Sequence, residues 1–284
     1  MSQSSSNPLR IRTMTSADVA IALAWAEAEG WNPGRHDAEC FYAADPNGFF
    51  IGEVGALPVA CLSAVAYDNA FGFIGLYIVK PEWRGKGLGM QLWQHGLGYL
   101  ADRNIGLDGV VAQQGNYRRS GFQFAYRNVQ YCGVGQSCPH SKGVVRASDV
   151  PIEQLAAYDR RYFPAERHPF LRRWIAQPDS LAVVALAAGK IRGFGVVRAC
   201  CVGHKIGPLF ANDAQVAANL FDALSAAVAG QPLFIDVPEL NAAALQLAER
   251  HGMSSVFETA RMYTQAQPGI DLQGVFGVTT FELG

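Results

Sequence analysis

The sharpest chemistry in the chain lies just after an apolar run. Phe73, Ile74, Leu76, Tyr77, Ile78 and Val79 lead into Lys80-Pro81-Glu82-Trp83, and Arg84-Gly85-Lys86-Gly87-Leu88-Gly89 follows. Beyond it Leu88, Leu92, Trp93, Leu97 and Leu100 recur at helical spacing. The pattern reads as a buried strand, a tight turn and a glycine-rich loop that opens a helix. Backbone N–H groups freed at such a helix start, together with the helix dipole, suit an anionic phosphate. Glycine lets the backbone approach that anion closely.

Three glycine-loop patterns compete for this stretch. A P-loop requires Lys followed by Ser or Thr after its last glycine, and Lys86 is followed by Gly87. A dinucleotide fingerprint requires G-x-G-x-x-G and an acidic residue closing the next strand. Counted from Gly85, Met90 holds the third glycine slot, and the next predicted strand, 109–112, runs into Gln113-Gln114. The third pattern, (Arg/Gln)-x-x-Gly-x-(Gly/Ala), is met by Arg84, Gly87 and Gly89. Here the chain resembles the GNAT superfamily of N-acetyltransferases, whose pyrophosphate loop for coenzyme A has that form. Downstream, Asn116-Tyr117-Arg118-Arg119-Ser120-Gly121-Phe122 is similar to the family's closing Tyr-x-x-x-Gly-Phe signature.

The resemblance implies an α/β fold with a mixed central sheet, and acetyl-CoA as co-substrate. In the family the fourth and fifth strands splay apart. By position, the backbone of Ile78 and Val79 is then expected to bond the pantetheine arm and face the thioester carbonyl. The amides of Arg84, Gly85, Lys86, Gly87, Leu88, Gly89 and Met90 are expected to hold the pyrophosphate. Lys86 and Arg119 are candidates for the outer phosphates, or else solvated surface charges, and Asn116 is grouped with them on the cofactor side. Tyr117 takes the family's place opposite the sulfur, as a general acid, or else packs as an ordinary aromatic on the sheet. The fourth strand departs from members that place a glutamate there, since Tyr77 occupies it and no Asp or Glu does.

A primary amine with a pKa near 10.4 is almost wholly protonated at pH 7, so the site must help remove a proton. Glu29, Trp31, Asn32 and Asp37 lie where the family binds acceptors, and they combine acidic groups with an aromatic face suited to a cationic amine. A solvated, glycine-ended helix terminus is the plain alternative. The expected partner is a small-molecule or peptide amine. Two other readings stay open: transfer of a longer or acidic acyl group, and a sensor that binds acyl-CoA without turnover.

Composition narrows the classes. The 284 residues are 50% hydrophobic and 17% charged, with 23 basic and 24 acidic side chains. Residues 1–140 hold 10 basic and 11 acidic groups, and the remainder holds 13 of each, so no clustered positive field suits nucleic acid. No apolar run reaches the ~18 residues of a membrane span. Residues 1–8 are serine-rich, without a basic and then apolar leader, and read as a disordered tail. Six cysteines show no C-x-x-C spacing. Cys132, Cys138 and His140 lie close together but lack a fourth ligand at a sensible spacing, so no metal is expected. Reduced thiols in a cytoplasmic protein are the default reading. Monomer and homodimer remain equally open.

The chain also repeats itself. Ile74-Gly75 has a counterpart in Ile206-Gly207, and Gly121-Phe122 in Gly252-Met253; the glycine intervals are 46 and 45 residues. Two GNAT-like domains in tandem are therefore expected, over 9–140 and 141–284. The second loop reads Phe210-Ala211-Asn212-Asp213-Ala214-Gln215, with no glycine pair. Asp213 there opposes a pyrophosphate, whereas Asn212 or Asp213 makes a good helix cap. One coenzyme A site per chain is expected, in the first half.

Overall fold

A computed structural model describes residues 8–137 and 143–284. The expected tail falls outside the described residues except for Pro8, and Cys138 and His140 fall outside them too. The first half runs β1 (Leu9–Thr13), α1 (Ser16–Ala28), α2 (Asp37–Ala44), β2 (Phe49–Val54), β3 (Leu57–Ala66), β4 (Phe71–Val79), α3 (Leu88–Tyr99), β5 (Asn104–Val110), α4 (Gln114–Arg119) and β6 (Gln123–Val134). The second runs β7 (Val144–Arg146), α5 (Ile152–Asp159), α6 (His168–Trp174), β8 (Ser180–Ala187), β9 (Lys190–Ala199), β10 (His204–Ala211), α7 (Ala214–Ala226), β11 (Pro232–Pro238), α8 (Ala242–Arg250) and β12 (Ser254–Tyr263). A short β13 (Val275–Gly277) follows. Both halves thus share one element order.

Local chemistry explains the helix starts. Thr15 and Asp18 form a reciprocal capping box on α1, and Arg12 bridges Asp18 (2.7 Å) and Glu53 (2.9 Å), tying the helix start to β1 and β2. Asp213 caps α7 by accepting from Val216 N–H at 2.9 Å, the role its side chain suggests. One sequence expectation shifts. The strand expected at 109–112 is β5, Asn104–Val110, because Phe71 to Ile74 of β4 pair with Asn104 to Leu107; 111–113 form a 3-10 turn. Helix α2 starts at Asp37, just after Arg35, whose N–H bonds Ala199 O in the other half.

All the strands join one mixed sheet in the order β1-β2-β3-β4-β5-β12-β6-β11-β10-β9-β8-β7, with β13 paired to β10. The closing strands are exchanged: β12 lies on β5, β6 lies on β11, and the two pair with each other at the centre. Alternation along the strands defines two faces. Cys61 and Val65 of β3, with Ala182 and Val184 of β8, meet α1, α2, α5 and α6 in one shared core. Ala60, Leu62 and Ala64 point the other way, to α3, and Val183 and Ala185 to α7 and α8. Across the shared face, Phe41 of α2 stacks on Trp174 of α6 at 6.3 Å. No described helix is long and apolar enough to cross a membrane.

Candidate active site

The glycine loop begins where β4 ends. Pro81–Trp83 make one 3-10 turn, and Gly85 and Gly87 both adopt φ of 75°, a left-handed conformation that costs other residues energy. Gly87 is the N-cap of α3, so no side chain caps the first N–H groups there, and the first turn carries no acid. Those donors and the dipole face an anion unopposed. A Cβ on Gly89 would lie 2.5 Å from the Tyr77 hydroxyl and 2.9 Å from Val79 Cγ2, so glycine there seats α3 against β4. Leu88 is half-buried, whereas Lys86 and Met90 are exposed; Lys86 lies over the Trp83 ring at 4.5 Å.

Next to the loop the sheet opens. β4 and β5 pair only from Phe71↔Asn104 to Ile74↔Leu107. Leu76 takes φ of 46° and the β3–β4 register slips opposite it, a bulge that bends β4 away. Lys80 N–H bonds Val59 O and Ala60 faces Val79. The antiparallel alternation then turns the polar groups of Ile78 toward β3 and those of Val79 into the gap. Accordingly Val79 O accepts from Arg84 Nε at 2.8 Å rather than from a strand. Arg84 also pairs with Glu29, joining the end of α1 to the loop.

Tyr117 stands at the mouth of that gap. Its ring rests directly on Gly109 of β5, where a Cβ would collide with it, and lies 5.6 Å from Trp93, which in turn is 5.2 Å from Tyr77. Burial, then the neighbouring Tyr77 phenol, push the Tyr117 pKa up to about 12. Burial also raises that of Tyr77. Both phenols are neutral donors at physiological pH. Asn116 bonds Gln113 and Arg119 on the exposed side of α4.

The acceptor-side candidates divide. Glu29 and Arg84 border the loop, and Trp31 is half-buried against the shared core. Asn32 and Asp37 face the joint between the halves instead. Asn32 exchanges two hydrogen bonds with Val202 (3.0 and 2.8 Å). Asp37 is fully buried, accepts from Gly34 N–H at 2.8 Å and pairs with Arg198 Nε at 2.9 Å. Sequence reading missed Gly109, although a glycine within a strand is a signal of close approach. It also missed Arg198, a charge set directly after the apolar run Gly193 to Val197.

The second half differs at the equivalent place. Asp213 occupies the start of α7, and β13 pairs with β10 at Leu209↔Gly277 and Phe210↔Val275, beyond the point where β10 and β11 part.

This double architecture has a family. Residues 18–122 match the acetyltransferase (GNAT) family and residues 155–277 match an acetyltransferase (GNAT) domain. The chain belongs to the GNAT superfamily, carries two of its domains in tandem, and is an acyltransferase. The family characteristically uses acyl-CoA.

Among relatives, holothin acyltransferase of Pseudoalteromonas sp. (strain SANK 73390) is 29% identical over 266 residues, covering 93% of this chain and 90% of its own. A Pyrococcus horikoshii protein described as a candidate acetyltransferase superposes with a TM-score of 0.84 at 24% identity, over 97% of this chain and 96% of its own. A tandem GNAT protein from the clavulanic acid biosynthesis pathway gives 0.61 at 13% identity, over 92% and 100%. These two share the fold.

Proposed function

We propose that the protein is an N-acetyltransferase that moves the acetyl group of acetyl-CoA to a primary amine of a small molecule or peptide, with Tyr117 as general acid. The observation that carries this reading is a neutral phenol at an unpaired strand gap, beside a helix start with uncapped amides. In it, the amides from Arg84 to Met90 hold the pyrophosphate, and Val79 offers its N–H to the pantetheine arm lying in the gap. Backbone donors that meet the thioester oxygen favour the charge that grows there during attack. The amine nitrogen attacks the thioester carbon, the C–S bond breaks, and Tyr117 donates to the departing sulfur.

Each chain has one such site, in the first half. The relative's name makes holothin one acceptor to try, and small and peptide amines the others. The thiols of Cys40, Cys61 and Cys200 are raised by burial and so are poor nucleophiles, which favours direct transfer over an acylated cysteine.

The test is free-thiol release from acetyl-CoA with an amine panel, alongside calorimetry. Turnover with some amine and a stoichiometry of one acetyl-CoA per chain are expected. Two equivalents, or coenzyme A seated at Ala211–Gln215, would refute the single-site assignment. An inert protein that ignores acetyl-CoA would remove the whole reading.

A further inference from the structure

The exchange of closing strands gives the first half's gap a wall that belongs to the second half. α3 and Tyr117 occupy one face of the gap, so an acceptor reaches a thioester there from the other. On that other face β4 presents Ile78, and β5 presents Val110, which alternates with Asp108. Val110 pairs with Thr259, the terminal pair of the β5–β12 ladder. Two residues away along β12, on the same face and past the end of β5, stands Phe257. Its side chain is open to solvent, 38% exposed.

A second ring meets it from the turn at 280–284. Gly284 N–H donates to Thr280 O at 3.1 Å and Leu283 N–H to Thr280 Oγ1 at 2.9 Å, which closes the turn. Two contacts pin it over the first half: Leu283 O accepts from Tyr67 Oη at 2.8 Å, and a Cβ on Gly75 would collide with the Glu282 carbonyl. Gly75 lies one residue before the Leu76 bulge where β4 bends away from β5. From this turn Phe281 packs, half-buried, on the core that holds Ile78, and its ring lies 6.3 Å from that of Phe257. The two rings span the acceptor face of the gap, one anchored over β4 and the other beyond β5.

Charge around the rings is already committed. Asp108 is held by Arg261 at 2.6 Å, Asp236 by Lys205 at 3.7 Å, and Glu29 by Arg84. Buried Glu282 faces Lys205 and Arg198, and Lys205 Nζ lies 5.8 Å from the Phe281 ring. A polyamine or a lysyl chain brings added positive charge toward paired carboxylates and a resident lysine. A flat apolar group instead gains aromatic contact with both phenyls.

We propose that Phe257 and Phe281 form the specificity wall for the acceptor, and that the acceptor is a primary amine carried on an apolar ring. The proposal deepens the reading of the first half as the acyl-CoA site and rests on it. Its ring lies against the two phenyls, with the amino nitrogen directed into the gap between Ile78 and Val110. Both phenyls come from the second half, so the site is incomplete without it. Apolar lining at the joint of two domains is a common setting for small-molecule recognition.

Phe257→Ala and Phe281→Leu each remove one ring, and Phe257→Tyr keeps it. Thiol release from acetyl-CoA is measured with 2-phenylethylamine, tryptamine, spermidine and a lysyl peptide, and calorimetry gives the acetyl-CoA Kd. Wild type is expected to favour a ring amine at least tenfold in kcat/KM over spermidine and the peptide. Phe257→Ala and Phe281→Leu should raise the ring-amine KM about tenfold with kcat within threefold, and Phe257→Tyr should match wild type. The acetyl-CoA Kd should stay within twofold throughout; a merely structural role would instead disturb kcat and Kd together. Should neither ring-removing variant fold, the wild-type ranking of the four amines decides. A wild-type ring-amine KM in the folded variants, or a preference for spermidine or the peptide, overturns the proposal. So does a wild type that binds acetyl-CoA yet acetylates neither ring amine, and the cofactor site then still stands. A protein that ignores acetyl-CoA removes the underlying reading and this wall with it.

Discussion

Replacing Tyr117 by Phe removes one hydroxyl and leaves the ring in place. The seat on Gly109 and the contact with Trp93 depend on the ring alone. With its pKa near 12, the phenol is fully protonated at pH 7. Complete handover to a thiolate of ordinary pKa, about 8.5, is uphill by about 3.5 units, or roughly 5 kcal/mol. The phenol therefore acts chiefly through a hydrogen bond to charge growing on sulfur, completing the transfer only as nitrogen resupplies it. A hydrogen bond to a charged partner contributes about 1.5–3 kcal/mol, so kcat should fall roughly 10- to 150-fold. Thiol release at saturating acetyl-CoA measures kcat, and calorimetry the Kd. The Kd should not change, and no alkaline loss of rate from Tyr117 should appear below about pH 11. A kcat within twofold of wild type, or a defect confined to Kd, would refute the assignment.

Two further predictions concern the scaffold. Asp37→Asn leaves Arg198 buried without its counter-charge, a loss of about 3–5 kcal/mol; chemical denaturation should show it, while the folded fraction keeps its acetyl-CoA affinity. Asp18→Asn weakens the capping box and removes the charge that Arg12 pairs with. The Arg12 hydrogen bond holds the Asp18 carboxyl well below its ordinary range, with Thr15 adding to the effect. A depressed carboxyl stabilises the fold above the unfolded pKa of about 3.9 and loses that contribution as the pH falls below it. The gap between wild-type and Asp18→Asn urea midpoints should therefore be wide at pH 7 and narrow toward pH 2.

Much of this molecule is legible in a one-dimensional string because its chemistry is local. Arg84 to Gly89 announce a glycine turn at a helix start through backbone conformations that glycine alone adopts easily. Thr15, Asp18 and Asp213 cap helices three residues away. The paired glycines of the two halves mark the same turn twice. The rest depends on residues brought together from over a hundred positions apart. Asp37 reads as an accessible acid until folding sets it against Arg198, 161 residues on. The exchange of β6 and β12 is invisible in their composition, since either strand satisfies the same alternating pattern beside β5. The strand β13 finds its place only because β10 and β11 part, and the residues after it meet Gly75 only because both halves share one sheet. Short-range propensity names the parts; long-range burial and backbone pairing choose their partners.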